Sequence, residues 1–356
     1  MKSMRICLIG EYSGDLEEGM RKTSFYLSEE LSKHHQVLPL NIKKIFFRSF
    51  WKEIRAFKPQ IIHYVHGPSL KSLMILKGLA FYCKGVNAKE ETKVKTVVSA
   101  THPSPFRLSK KIFSLFKPDL VLTQSEESER LFKGLGCKTE FLPGGVDLKR
   151  FVPVSDGVKE ALRAKYGVEK EKVENGKEKG DFVILHVGSI KEGRGIEIFK
   201  EIARRKEGQV LIIGSRSTGI EKRLYRSLKE SGCKIWVKYF KNVEEVYALS
   251  DCYVFPTPPE NKINAIEMPL SVLEAMSCNL PVLTTKFGAL PRVFVEGEGL
   301  VFAEGEGDFV KGVKEIENGA EIKTREKVLP YSWENVVKRL EVIYEKLVKE
   351  KEKGKG

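Results

Sequence analysis

Two short runs carry the residue types best suited to chemistry. The first is EMPLSVLEAMSCNLPV, residues 267–282. Leu270, Val272, Leu273, Ala275 and Met276 are apolar nearly all round, as in a helix enclosed by protein. Pro269 suits the helix start, having no N–H to lose, and Asn279 suits its end. Glu274 sits in the middle. A carboxylate there must be paired, hydrogen-bonded or neutralised. A salt bridge to Arg or Lys is one solution; the hydroxyls of a ligand are another. At the helix start, the free amides of Leu270, Ser271 and Val272 predict an anion site strengthened by the helix dipole. A diphosphate bound there would put Glu274, one turn deeper, near the sugar of a nucleotide.

The second run is VGSIKEGRG, residues 187–195, between a strand and a helix. Its glycines permit a tight turn, and Lys191 and Arg194 can hold phosphate. A basic surface loop reads the same way. In the first half, GEYSGDLEEGMRK (10–22) is a strand-to-helix loop with Gly19 near its end. SATHPSP (99–105) sets His102 just past a strand, beside two prolines. A lone His is usually structural, but the carboxyl end of a strand is where a cleft would use one.

The elements that must position these residues alternate. Strand-like runs at Arg5–Gly10, Gln36–Pro39, Ile61–Val65, Thr96–Ser99, Leu120–Thr123 and Glu140–Leu142 form one set. Val183–Val187, Val210–Gly214, Ile235–Tyr239, Cys252–Pro256 and Val282–Thr285 form a second. Helical stretches lie between them. The pattern predicts an α/β chain of two Rossmann-like, doubly wound domains, at 1–160 and 161–330. Such sheets bind ligands beyond the carboxyl ends of their strands, so two of them facing across a cleft would share a site. VEKEKVENGKEKG (168–180) reads as a solvated loop before the second domain. Trp333, Val336, Val337, Leu340, Ile343, Tyr344 and Leu347 mark an amphipathic helix within 331–350, predicted to return to the first domain.

Composition narrows the field. The 356 residues are 41% hydrophobic and 31% charged, a globular balance, with no apolar run long enough to span a bilayer. The chain enters a strand at once, which predicts no signal peptide. Six scattered cysteines, none in a C-x-x-C pair, predict reduced core thiols and a cytoplasmic protein. Abundant Lys and Glu with four Gln fit a heat-adapted host. The net charge is +14, and the first 150 residues hold 26 Lys+Arg against 15 Asp+Glu. That half predicts an anionic partner: phosphorylated substrate, membrane surface or, ranked third, nucleic acid, for which no motif is present. KKIFFRSFWKEIRAFK (43–58) reads as a basic amphipathic helix able to lie on an anionic membrane, with core packing the alternative for its aromatics. After the first strand Gly10, Gly14 and Gly19 do not form G-x-G-x-x-G, which disfavours an NAD enzyme. There is no P-loop, no D-x-D and no H-E-x-x-H, so no metal or cofactor is expected.

Jointly, PLSVLEAMSCNLPV, FLPGGVDLKRF, KPQIIHYVHG, VLTQSEESERL and YSWENVVKRLEVIYEKL resemble the retaining glycosyltransferases of family four, of GT-B fold, nearly end to end. The resemblance implies metal-independent transfer of a sugar from a nucleotide-sugar donor to an acceptor hydroxyl, on a glycan, a lipid-linked sugar or a small polar molecule. It implies that the second domain holds the nucleotide and the first the acceptor. Glu274 matches the family glutamate on the ribose hydroxyls, Arg194 the lysine on the diphosphate, His102 the histidine near the transferred sugar, and Gly19 the glycine loop facing the diphosphate. Four positions depart from the family pattern. Ile266 stands where the first glutamate belongs, with Glu267 one place off as the candidate for its catalytic role beside His102 and Arg194; Ser189 replaces an arginine; Arg292 replaces a glutamate; and the paired glycines are Gly19-Met20. These departures leave two rivals open: a silent nucleotide-sugar-binding subunit and a sugar-nucleotide epimerase on the same fold.

Overall fold

A computed structural model describes residues 2–16, 18–83, 93–101, 110–168, 182–205, 208–215, 218–260 and 266–350. His102, most of the charged run 168–180 and the final KEKGKG lie outside the described residues. Contacts divide the chain into two units. The first is Met1–Gly145 with Lys262–Met268 and Trp333–Gly356; the second is Val146–Asn261 with Pro269–Ser332.

The first unit runs β1 (Arg5–Gly10), α1 (Gly19–Ser32), β2 (Gln36–Asn41), α2 (Arg48–Phe57), β3 (Ile61–Tyr64), α3 (Leu70–Tyr82), β4 (Lys95–Ala100), α4 (Lys110–Leu115), β5 (Leu120–Thr123), α5 (Glu126–Gly134) and β6 (Thr139–Phe141). Its six strands are all parallel, in the order β2-β1-β3-β4-β5-β6. Strands buried on both faces must be largely apolar, and the runs CLIG, IIHY and LVLT are, with His63 and Thr123 the polar exceptions. Alternate residues serve opposite faces. Cys7, Ile9, Ile62, Tyr64, Val98 and Val121 pack with Phe50 and Ile54 of α2 and Leu73, Leu76 and Leu79 of α3.

The second unit runs α6 (Asp156–Tyr166), β7 (Val183–Gly188), α7 (Ile198–Arg204), β8 (Gln209–Gly214), α8 (Lys222–Glu230), β9 (Lys234–Trp236), α9 (Glu244–Ala248), β10 (Cys252–Phe255), α10 (Leu270–Ser277), β11 (Val282–Thr284), α11 (Leu290–Val293), β12 (Leu300–Phe302), α12 (Glu306–Glu317) and α13 (Thr324–Val328). The last helix, α14 (Trp333–Lys349), belongs to the first unit. The second sheet is parallel, ordered β12-β11-β10-β7-β8-β9. Ile184, Val210, Ile212, Val254 and Leu283 pack with Phe199 and Ile202 of α7, Leu228 of α8 and Phe309 and Val313 of α12.

The hand-over at Gly145 precedes the expected boundary at 160. The reason is α6: its Arg163 donates Nε–H to the Leu249 carbonyl at 2.9 Å, and its Lys159 pairs with Asp251 at 3.0 Å, both in the second unit. The segment 43–58 is also not one helix. A short turn at Ile42–Lys44 precedes α2, and Phe50 and Ile54 are core. Strand β12 was not foreseen, because three residues between glycine-rich turns carry no readable alternation.

On the face opposite α2 and α3, α14 lies against α1 and the sheet. The Tyr344 hydroxyl meets His63 Nδ1 at 2.6 Å, and His63 Nε2 lies 2.7 Å from Ser99 Oγ. Burial pushes the His63 imidazole down to about 3, so it stays neutral. Trp333 stacks on Tyr26, with ring centroids 5.3 Å apart and 9° between planes. A Cβ at Gly145 would lie 2.6 Å from Trp333 Cδ2, so glycine is what admits the indole. Trp333→Ala should therefore cost about 3–5 kcal/mol of the first unit's stability. Urea unfolding followed by near-ultraviolet circular dichroism would check this; an unchanged midpoint would show that α14 is an ornament.

Candidate functional site

Both sheets reverse direction of strand progression once, and ligand crevices form at that reversal. In the second unit the reversal lies between β7 and β10. The loop leaving β7 carries Ser189, Lys191 and Arg194, so the topology brings all three to the switch point. Three features fix this loop. Ile190 is fully buried beneath it. The Glu221 amide donates to the Ile190 carbonyl at 3.0 Å, while the Glu192 amide donates to the Glu221 carboxylate at 2.8 Å. Gly195 has φ +70, and a Cβ there would sit 2.1 Å from the Pro256 carbonyl oxygen. Only glycine allows the β7 loop to lie on the end of β10.

His186 on β7 holds the same junction from below. Its Nδ1 donates to the Val254 carbonyl of β10 at 2.9 Å. Burial, with Arg194 adding to it, pushes the imidazole down to about 4, so it is neutral. Arg194 is half-buried, and desolvation lowers its guanidinium from its usual value.

Helix α10 is buried along nearly its whole length, as its apolar sequence demands. Pro269 occupies the N-cap with extended backbone, and no side chain caps the first turn. Val272 is a correction: its N–H donates to the Pro269 carbonyl at 3.1 Å, closing the first turn tightly. The anion-site expectation therefore rests on the amides of Leu270 and Ser271. Asn279 ends the helix in the left-handed conformation, φ 56, as read from the sequence.

Glu274 is 4% exposed, and its Oε2 accepts a hydrogen bond from the Tyr247 hydroxyl at 2.8 Å. A phenol partners this oxygen. Burial and then the Glu274 charge raise the Tyr247 phenol well above its ordinary value, so it keeps its proton and remains a donor. Phe151 meets Tyr247 edge-on at 5.5 Å. Tyr253 of β10 makes the second linkage. Its hydroxyl donates to the Val187 carbonyl at 3.3 Å. One phenol thus ties β10 to the end of β7. His186, Tyr247 and Tyr253 were all missed in sequence; the available signal was a polar atom inside an otherwise apolar strand or helix.

In the first unit the reversal lies between β1 and β3. Gly10 lets α1 approach, since a Cβ there would lie 2.4 Å from Ser24 Oγ. His66 Nε2 accepts from the Glu11 amide at 3.2 Å and lies 3.0 Å from Ser24 Oγ. Glu11 pairs with Lys43 at 2.7 Å and Arg21 at 3.1 Å. Burial alone would raise the Glu11 carboxyl, but these two cations hold it below its usual value. Gly19 is the first residue of α1, beside this cluster, and its carbonyl accepts from Thr23 Oγ1 at 2.7 Å.

Glu267 sits apart from α10, within the first unit. Its amide donates to the Thr101 carbonyl at 3.0 Å, next to the segment that contains His102. Its Oε1 accepts from Ser125 Oγ at 2.7 Å and Ser128 Oγ at 2.5 Å, at the first turn of α5. Its Oε2 is buried without a hydrogen-bond partner among the described residues. Burial raises this carboxyl, and the two serines offset only part of the effect. Among the described residues, no group of three or more His, Cys, Asp and Glu side chains is arranged to hold a metal ion.

Two expectations follow. Tyr253→Phe keeps the ring but removes the hydroxyl, so it should lower affinity for a nucleoside diphosphate about 5- to 10-fold, the equivalent of one hydrogen bond. Isothermal titration would check this, and equal affinity would free Tyr253 of any role in the site. For Glu267 the folded state holds its proton more tightly than the unfolded state does. Its contribution to stability is then present at low pH and lost as pH rises through the raised value. Glu267→Gln should melt above wild type at neutral pH, with the gap closing as pH falls toward about 4.3, the ordinary Glu value. A gap that widens on acidification would mean the ionised carboxylate is the stabilising form.

Known proteins were compared with this geometry. Residues 167–332 match the family model for glycosyl transferases group 1. The chain is similar to an uncharacterized glycosyltransferase of Methanocaldococcus jannaschii, 24% identical over 302 residues, covering 80% of this chain and 69% of that one. Its fold is similar to a glycosyltransferase from Rickettsia africae (TM-score 0.74, 14% identity, 99% of this chain and 100% of that chain). It is similar in the same way to Anabaena HepE in complex with UDP and glucose (TM-score 0.69, 14% identity, 96% of this chain and 100% of that chain).

Proposed function

We propose that this chain, whose residues 167–332 match glycosyl transferases group 1 and whose fold is GT-B, moves a sugar from a nucleoside-diphosphate sugar to an acceptor hydroxyl, with retention and without a metal. The observation that carries this reading is the switch point between β7 and β10, where the Tyr253 hydroxyl bonds to the end of β7, the basic loop after β7 begins, and the chain leaving β10 leads to the uncapped first turn of α10. Together these form a cradle for a diphosphate. The nucleotide and sugar bound by HepE support the same donor class.

Cleaving the donor bond builds negative charge on the departing diphosphate. Preorganised donors stabilise it: the Arg194 guanidinium, the Lys191 ammonium and the amides of Leu270 and Ser271. These cations and amides take the charge-neutralising role for which other transferases use a metal. Glu274, oriented by the Tyr247 hydroxyl on Oε2, receives the ribose hydroxyls. Ser189 lines the same loop. The acceptor hydroxyl, on a glycan, a lipid-linked sugar or a small polar molecule, attacks the sugar from the leaving-group face, and a phosphate oxygen takes its proton. His102 and Gly19 are assigned to the transferred sugar and the diphosphate by the family resemblance, and Glu267 bonds to the backbone of Thr101, the residue before His102 in the sequence.

A second reading, a silent nucleotide-sugar binder, draws on Ile266 and on the use of Glu267 Oε1 by two serines. A panel of UDP- and GDP-sugars with simple sugar and lipid-linked acceptors separates the readings. Transfer that survives EDTA, with the anomeric configuration of the product retained by NMR, is the expected result. Binding without turnover gives the silent subunit, and isomerised donor gives an epimerase. Arg194→Ala should weaken nucleoside diphosphate binding more than Arg194→Lys does. Glu274→Gln should lower nucleotide affinity roughly 10- to 100-fold, the equivalent of losing hydrogen bonds to a charged group. Unchanged affinity in both Arg194→Ala and Glu274→Gln would remove this site from the reaction.

A further inference from the structure

The first unit leaves an unusual set of apolar side chains in water. Phe46 is 81% exposed, Phe47 62%, Phe81 73%, Met74 50% and Leu70 37%. Scattered exposed apolar residues need no explanation, but adjoining ones do. These adjoin. Leu70, Met74, Lys77 and Phe81 recur at intervals of four, three and four along α3, one stripe of a helix. The stripe spans about 16 Å at 1.5 Å per residue. At its start, the Lys71 ammonium sits 5.1 Å from the centre of the Phe46 ring, which fastens the Phe46–Phe47 tip to α3. Along its length, α2 packs beside α3: Trp51 meets Tyr82 edge-on at 5.8 Å, and Arg55 lies over the Tyr82 ring at 5.1 Å. The apolar face of α2 itself is spent on the core through Phe50 and Ile54. What remains outside is the tip before α2 and the stripe on α3.

Charge identifies what such a face would meet. Between Ile42 and Cys83 the sequence holds eight Lys and Arg and a single acid, Glu53. Lys44, Arg48, Lys52, Arg55, Lys71 and Lys77 are all exposed. A second copy of this chain would have to set these cations against each other. A protein groove would need to be acidic and apolar together. A bilayer with anionic headgroups supplies negative charge at the rim and hydrocarbon beneath it, in the order these side chains require. Among the described residues no helix is long and apolar enough to cross a membrane.

We propose that Phe46, Phe47 and the Leu70–Met74–Phe81 stripe form a docking face for the surface of an anionic lipid bilayer. The two phenylalanines enter the boundary between headgroups and acyl chains. The flanking lysines and arginines rest on lipid phosphates. Docking is peripheral and salt-sensitive, and it does not depend on the nucleotide site.

The test is cosedimentation of the full chain with sucrose-loaded vesicles, either phosphatidylcholine alone or phosphatidylcholine with about one-third phosphatidylglycerol, a composition chosen to give a strong surface potential. Wild type should bind the anionic vesicles and not the neutral ones. Raising salt from about 0.05 M to about 0.5 M should release it, because the screening length shrinks. The double variants Phe46→Ser/Phe47→Ser and Met74→Ser/Phe81→Ser should each lower partitioning about tenfold or more, as expected for removing two buried apolar side chains from an interface. Their melting and nucleoside diphosphate affinity should stay as in wild type. Val295→Ser, which alters an equally exposed apolar residue of the second unit, should change nothing. Absence of binding to anionic vesicles, or binding that both double variants leave intact, overturns the proposal. Light scattering that shows self-association lost in the same variants, with no vesicle binding, would assign the face to a second copy and likewise overturn it.

Discussion

Much of the second unit depends on one hydrogen bond, from the Tyr247 hydroxyl to Glu274 Oε2. A carboxylate inside a buried helix is tolerable only if some polar group meets its charge. A phenol does so without adding a charge of its own, and burial keeps that phenol protonated. The surrounding residues then have to hold Tyr247. Phe151 packs edge-on against its ring. Phe151 in turn is tied down through its carbonyl, which accepts from Ser277 Oγ at 2.6 Å and Arg325 Nη1 at 3.0 Å. Arg150 anchors the same loop by its ion pair with Glu244 at 2.7 Å, one helix turn before Tyr247. Arg150 and Phe151 therefore support Glu274 through Tyr247.

The two sheets use the same parallel architecture but reverse at different strands, and this decides where each unit can do chemistry. The second unit reverses between β7 and β10, where Gly195 lies on the Pro256 carbonyl and the Tyr253 hydroxyl of β10 bonds to β7. The first reverses between β1 and β3, where His66, Glu11, Arg21 and Lys43 gather. Both junctions rely on a glycine that lets one element come closer than a side chain would allow: Gly195 in one, Gly10 in the other. Both also carry a histidine kept neutral by burial, His186 and His66.

Periodicity made the fold legible. Leu120–Thr123 and Arg5–Gly10 were read to the residue, because apolar runs bounded by turns have few alternatives. The helix of α10 and its stop at Asn279 were equally open to reading. Less of the site could be read. His186 and Val254 are neighbours only because β7 and β10 are adjacent in the sheet, and nothing in spacing reports that adjacency. The Tyr253 hydroxyl and the Val187 carbonyl meet for the same reason. Glu267 was read by its distance from Glu274 along the chain, whereas its carboxylate is turned to the serines that open α5. The aromatics of 43–58 divide for a reason that is also tertiary. Phe50 must cover the sheet, while Phe46 and Phe47 precede the helix and have nothing to cover.

The central claim is that a nucleoside diphosphate binds the second unit between the loop after β7 and the start of α10. Hydrogen–deuterium exchange on the full chain, with and without saturating UDP or GDP, tests it most directly. The account predicts slowed exchange confined chiefly to residues 188–195 and 266–275, where ordered amides and a closed loop would bury the phosphates. Protection that falls instead on the loop 10–19 and around His66 in the first unit, with residues 188–195 and 266–275 unchanged, would contradict it.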